Sequence, residues 1–168
     1  MLPEYVKGIR KKIGHDRLIV VGAAVIVYEG GKVLLQRRRD NAMWGIHGGS
    51  VEVGERVEDA ARRELAEETG LVAGRLELLG VYSGDEMMFT YPNGDEVYIV
   101  GVTYVCGDFR GEPAAETDET LELRWFDLRE LPDGITPPDV RPLRDFAAIM
   151  ARDGGWKGNG LQGDGAGR

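Results

Sequence analysis

The stretch Gly49-Ser50-Val51-Glu52-Val53-Gly54-Glu55-Arg56-Val57-Glu58-Asp59-Ala60-Ala61-Arg62-Arg63-Glu64-Leu65-Ala66-Glu67-Glu68-Thr69-Gly70-Leu71 decides how this chain is read. Within it, Arg56–Thr69 has helical spacing, and Gly70 stands where a helix commonly stops. At about 100° per residue, Val57, Ala60 and Ala61 form a stripe facing a core. Glu64, Glu67 and Glu68 fall on that same side, as the C-terminal continuation of the stripe. Like charges four residues apart cost a few tenths of a kcal/mol, and the C-terminal half of a helix dipole disfavours anions. A divalent cation would reverse both penalties. The alternative is a wet surface on which Arg62 and Arg63 pair with the glutamates.

Outward from this helix, the pattern predicts one domain over residues 1–152. Val6, Ile9 and Ile13 suggest a helix over 3–13, stopped by Gly14. Leu18–Tyr28, rich in Val and Ile, reads as a strand covered on both faces. The pair Gly30-Gly31 turns it into a hairpin with Val33–Gln36. A loop is expected from Arg38 to about Glu55. Further strands are expected at Leu76–Tyr82, Met87–Tyr91, Val97–Cys106 and Leu121–Phe126, the second and third joined through Pro92-Asn93-Gly94-Asp95. After Pro137-Pro138, Asp139 is the expected N-cap of a helix carrying Leu143, Phe146, Ala147 and Met150, with Pro142 in its first turn. Residues 153–168 alternate glycine with polar residues and are expected to be a disordered tail, despite Trp156 and Leu161. Strands mixed with two or three helices give an α/β or α+β domain.

Composition narrows the function. The 168 residues include 29 Asp+Glu against 21 Lys+Arg, a net charge of -8. That balance argues against coating a nucleic acid polymer, since such surfaces need Lys and Arg. It permits a phosphate-bearing small molecule if a metal supplies positive charge. The single cysteine, Cys106, lies in an apolar run and reads as a buried hydrophobe in a reducing compartment. The longest apolar run, Leu18–Tyr28, falls far short of the ~20 residues that span a bilayer. Although Arg10, Lys11 and Lys12 precede it, no small-residue cleavage site follows, so a cytoplasmic protein is expected, with no membrane partner.

Counting from Gly49, five residues lead to Glu55, and seven more to Arg63-Glu64-Leu65-Ala66-Glu67-Glu68-Thr69-Gly70-Leu71. This resembles the signature of the Nudix hydrolases, G-x5-E-x7-R-E-U-x-E-E-x-G-U with U apolar, at every fixed position. The hairpin Lys32–Arg37, the pair Trp44-Gly45 and the run Trp125-Phe126-Asp127 also fall where that family has them.

The resemblance implies an α/β/α sandwich around a mixed sheet, with the signature as loop–helix–loop. It implies hydrolysis of a nucleoside diphosphate linked to another group, assisted by Mg2+ or Mn2+. Glu64, Glu67 and Glu68, with the Gly49 carbonyl, would be the metal ligands, and Arg63 with Glu55 an orienting pair. The base would come from Glu64 or from Glu119. Arg37, Arg38 and Arg39 end the strand before the signature; Arg37 and Arg39 are the expected phosphate contacts. Tyr82 and Phe89, in a group with Tyr91 and Tyr98, are the expected stacking surface for a base. His47 stands where many members have proline, either as loop filler or as an imidazole near the substrate. His15 has no partner suggested by spacing. Nucleoside triphosphates are favoured as substrate, with ADP-ribose or another nucleotide sugar next, and family analogy suggests a homodimer. The rival reading is a catalytically silent nucleotide-binding module.

Overall fold

The computed structural model describes residues 4–114, 119–152 and 156. Helix α1 (Glu4–Ile13) precedes β1 (Leu18–Glu29), which turns through Gly30 and Gly31 into β2 (Lys32–Arg38). The register Val27↔Leu34 and Glu29↔Lys32 makes the expected hairpin. The segment expected as loop is not all loop. It contains β3 (Trp44–Gly45), paired with β2, and β4 (His47–Ser50), paired antiparallel with β1 from Gly22↔Ser50 to Val25↔His47. Two glycines in a four-residue strand hide it from propensity, because only the neighbouring strand makes it one.

Helix α2 (Val57–Thr69) follows, closed by Gly70 in the left-handed region at φ 74°. A short ribbon pairs β5 (Val72–Ala73) with β9 (Phe109–Arg110). Between them lie β6 (Glu77–Tyr82), a 3-10 turn at Asp85–Met87, β7 (Met88–Thr90) and β8 (Glu96–Cys106). The β7–β8 hairpin closes through Pro92–Asp95, with Tyr91 N–H donating to the Asp95 carbonyl at 2.9 Å. β10 (Thr120–Asp127) and α3 (Pro137–Met150) complete the fold.

The main sheet runs β10-β2-β1-β8-β6, with β3 on β2, β4 on β1 and β7 on β8. It is mixed: β1 and β8 are parallel from Leu18↔Val97 to Val27↔Cys106, and the other pairs are antiparallel. Strand alternation divides the core into two layers. Ala23, Val25, Val27, Leu34, Tyr104 and Cys106 pack with Ala60, Ala61 and Leu65 of α2. Ile26, Val33, Leu35 and Val105 pack with Leu143 and Phe146 of α3. The architecture is therefore an α/β/α sandwich. Cys106 is fully buried, as its apolar setting suggests. No helix among the described residues is long and apolar enough to cross a membrane.

Several local expectations are corrected. β1 is buried on both faces only over Val25–Val27; upstream, Ile19 is 71% exposed. Helix α3 begins before Asp139, with Thr136 as N-cap and prolines at its first two positions. Proline pre-sets φ there and its missing N–H costs nothing. Asp139 is therefore in the first turn, accepting hydrogen bonds from the Thr136 hydroxyl at 2.6 Å and the Ile46 N–H at 3.1 Å. Pro142 then lies within the helix rather than in its first turn. His15, for which spacing suggests no partner, meets one 80 positions away: its Nδ1 lies 2.7 Å from Asp95.

The expected tail lies outside the described residues, apart from Trp156. That residue packs edge-on against Phe146 at 5.8 Å, and its indole N–H donates to Glu77. Its backbone N–H meets Met150 Sδ at 3.2 Å. Trp156→Ala is expected to lower unfolding free energy by about 1–3 kcal/mol, through the apolar area returned to water. Urea denaturation at constant m-value measures this, and an unchanged midpoint would show that the contact contributes nothing.

Candidate active site

The sheet opens where β1 changes partners on one side. Downstream residues of β1 pair with β2 and upstream residues with β4, while β8 runs along the other side. Over this region lies a cavity of about 520 Å³. Its floor comes from alternate residues of β1 and β8: Val20, Gly22 and Ala24 beside Ile99, Gly101 and Thr103. Gly22 lies directly opposite Gly101, so the floor is flat there.

Glu64 and Glu68 line the cavity beside Gly48 and Gly49, and each is only 5% exposed. The glycines make this approach possible. A Cβ on Gly49 would fall inside the Glu64 carboxylate, and one on Gly48 would strike the Ala23 carbonyl and Ala24. The Gly48 N–H donates to Glu68 Oε2 at 2.9 Å. Burial pushes the Glu68 carboxyl up to about 8. It raises Glu64 as well, against the pull of Arg63.

Arg63 ties three glutamates together. Its Nε and Nη2 bond both Glu55 oxygens at 2.8 and 3.0 Å, and Nη1 bonds Glu64 Oε1 at 2.6 Å. Glu67 Oε2 is 3.5 Å from the same Nη1, but its side chain is 56% exposed. The sequence reading placed all three glutamates on the buried face; the structure buries Glu64 and Glu68 and turns Glu67 outward. At the helix end the stripe is narrow, so a residue about 60° from Glu64 on the other side from Glu68 leaves it.

His47 is fully buried on β4 and is not among the described cavity-lining residues. Its Nε2 donates to the Leu34 carbonyl at 3.2 Å, while Nδ1 has no hydrogen-bond partner and lies 3.7 Å from Glu68 Oε2. Burial pulls its pKa down to about 4, so the ring is neutral at pH 7.

The remaining expected contacts divide. Glu119, Arg39 and Phe89 line the cavity. Arg37 does not: it is exposed, and its Nε donates to the Ala42 carbonyl at 3.2 Å. Tyr82 is buried away from the lining, under the Arg141 guanidinium at 5.7 Å. Arg38 takes the place expected for Arg37, because strand alternation sends neighbouring side chains to opposite faces. It forms a forked pair with Asp40 at 3.0 and 2.9 Å. Asp139, read from sequence as a cap, also lines the cavity, and burial raises its carboxyl to about 6.

Among the described residues, no three His, Cys, Asp or Glu side chains form a ready-made metal cage. What stands at the cavity is a pair of buried carboxylates held back from ionising, beside the carbonyl-bearing Gly49. Hard oxygen donors in partial number suit a cation such as Mg2+, which keeps several waters and bridges to phosphate.

A family model for the NUDIX domain matches residues 18–146. The chain is 41% identical over 121 residues to the ADP-ribose pyrophosphatase of Methanocaldococcus jannaschii, covering 70% of this chain and 66% of that protein. It is 35% identical over 111 residues to the oxidized purine nucleoside triphosphate hydrolase of Danio rerio, covering 64% and 66% respectively. The chain thus spans slightly under two-thirds of the length of these two relatives. Among solved structures, a MutT NUDIX hydrolase from Burkholderia pseudomallei superposes with a TM-score of 0.66 at 32% identity, covering 76% of this chain and 98% of that one.

The buried glutamate has a measurable signature. Between pH 4.5 and about 8 the folded chain keeps a proton on Glu68 that the unfolded chain has released, so stability falls as pH rises. Above pH 6.5 the unfolded chain is still releasing the His47 proton, a smaller rise in stability, and folded Asp139 the last of its own, a smaller fall, so Glu68 dominates the slope there. Without divalent metal, unfolding free energy is expected to drop by roughly 1.5 kcal/mol from pH 6.5 to 8. Glu68→Gln should flatten the slope, and Mg2+ should stabilise the wild type more at pH 8 than at 6.5. Gly49→Ala should abolish the Mg2+ effect. A metal-independent, flat profile in the wild type would contradict this account.

Proposed function

The chain belongs to the Nudix hydrolase family, and from that premise we propose that it is a divalent-metal-dependent pyrophosphohydrolase of small nucleotides. The observation that carries this reading is the pair of buried carboxylates, Glu64 and Glu68, opening beside Gly48 and Gly49 onto a cavity large enough for a nucleotide. The proposed metal ligands are Glu64, Glu67, Glu68 and the Gly49 carbonyl, with Glu67 turning inward from its contact with Arg63. A bound Mg2+ or Mn2+ would polarise a phosphoryl oxygen and acidify the attacking water.

The chain's own residues do the rest. Arg63, clamped on Glu55, fixes Glu64 against Gly49, so this carboxylate serves best as a fixed ligand. Glu119, on the cavity wall just before β10, is the better placed base and takes the proton of the attacking water. Arg38 and Arg39, on the same wall, face the charge of the diphosphate. At the other end Val20, Met87, Phe89 and Ile99 surround the Gly22–Gly101 floor with apolar surface suited to a flat base. The products are a nucleoside monophosphate and a phosphorylated remainder. Nucleoside triphosphates are the favoured substrates, with ADP-ribose next; named relatives act on each class. The buried lone Cys106 fits a cytoplasmic setting.

A panel of nucleoside triphosphates, oxidised purine triphosphates and ADP-ribose, assayed for Mg2+-dependent release of phosphate-containing products, tests the reading. At least one substrate should be cleaved. Glu68→Gln should reduce turnover at least ~100-fold and remove the Mg2+-induced stabilisation. Glu119→Gln should reduce kcat by about 100-fold while keeping that stabilisation. Nucleotide binding without turnover in the wild type would favour the silent module instead.

A further inference from the structure

The apolar end of the cavity is bounded by two elements far apart in sequence. One is the connection between β6 and β7, which delivers Met87; the other is the first turns of α3, which deliver Pro138 and Pro142. Met87 is 3% exposed and sits above Gly101, where a Cβ would come within 3.1 Å of its terminal methyl. It reaches that place because Gly84, at φ 120° and ψ -179°, bends the chain into the 3-10 turn Asp85–Met87. Only glycine adopts that backbone region readily. The Met87 N–H then closes on the Gly84 carbonyl at 3.0 Å.

Both exposed residues of this turn are tied down. Asp85 accepts the Tyr98 hydroxyl at 2.5 Å, which anchors the turn to β8. Glu86 accepts from Arg141 Nη1 at 2.5 Å, which anchors it to α3. Arg141 is in turn steadied by the Tyr82 ring beneath it and by Asp145, 4.0 Å away and one helical turn on. Arg141 immediately precedes Pro142, so the ion pair spans the two walls of the cavity close to the apolar residues they carry.

We propose that the Glu86–Arg141 ion pair is a strut that sets the gap between Met87 and the Pro138–Pro142 wall, making both residues positioning residues for the base of the substrate. This rests on the nucleotide reading of the cavity. The strut touches no reacting atom: it acts on how tightly the base is gripped and leaves the phosphate end alone. Because the pair is half-exposed, its effect is modest and graded, as suits a residue that adjusts affinity without deciding folding.

The test is the affinity of a nonhydrolysable nucleoside triphosphate, measured by calorimetry with Mg2+ and compared with that of tripolyphosphate, which lacks a base. Glu86→Gln and Arg141→Met should each weaken nucleotide binding by about 3-fold, the scale of one half-exposed ion pair. The double variant should be no weaker than either single one, and Arg141→Lys should recover most of the loss. Tripolyphosphate affinity should not change, and KM for the cleaved nucleotide should rise with kcat within about twofold of wild type. Wild-type nucleotide affinity in both single variants, or an equal loss for tripolyphosphate, would overturn the strut while leaving the nucleotide reading intact. A wild-type protein that binds neither a nucleoside triphosphate nor ADP-ribose would overturn both.

Discussion

Two carboxylates are held out of water at the C-terminal half of a helix, where the dipole repels them and each repels the other. Glu64 and Glu68 stand in that position because α2 packs its alanine stripe on β1, leaving no solvated face for them to turn to. The rest of the site accommodates this choice. Glycines at 48 and 49 clear the volume that the carboxyl groups need, and a backbone N–H and the Arg63 guanidinium supply part of the missing positive charge. Glu55 spreads the charge of Arg63 and fixes its fork. A structural helix would gain from replacing both acids with leucine. On the proposed function, a bound cation would complete the charge balance that the chain leaves open.

The same constraint explains why so much of the site can be read along the chain. Gly49, Glu55 and Arg63, separated by five and seven residues, lie within one loop and one helix, and the phase of the helical part follows from helical pitch. Helix α2 and its glycine stop are local in this sense, and the Arg63–Glu55 contact, expected from the family resemblance, also joins residues close in sequence. The two central hairpins are equally legible, since their turns carry Gly30-Gly31 and Asn93-Gly94.

What was not legible depends on partners distant in sequence. β4 is a strand only because β1 offers a free edge, and His47-Gly48-Gly49-Ser50 has no strand propensity of its own. Arg38 rather than Arg37 faces the cavity because β2 takes its register from β10 and β3, which the run of three arginines does not reveal. Asp139 resembles a helix cap until α3 is seen to start at Pro137. Glu67 shows the limit of a helical projection: phase says which residues are near each other, but the width of the covering layer decides which are buried.

The parallel pairing of β1 with β8 has a consequence for assembly. Residues 18–27 must wait for residues 97–106, and the whole signature loop and helix lie between them. Until that pairing forms, α2 has only part of the surface that buries its acids, and the cavity floor, drawn from both strands, does not exist. On the proposed function, the cation's site is therefore complete only after a slow, non-local closure, and the interval before closure is when the apolar strand Leu18–Glu29 is most open to pairing with the wrong neighbour.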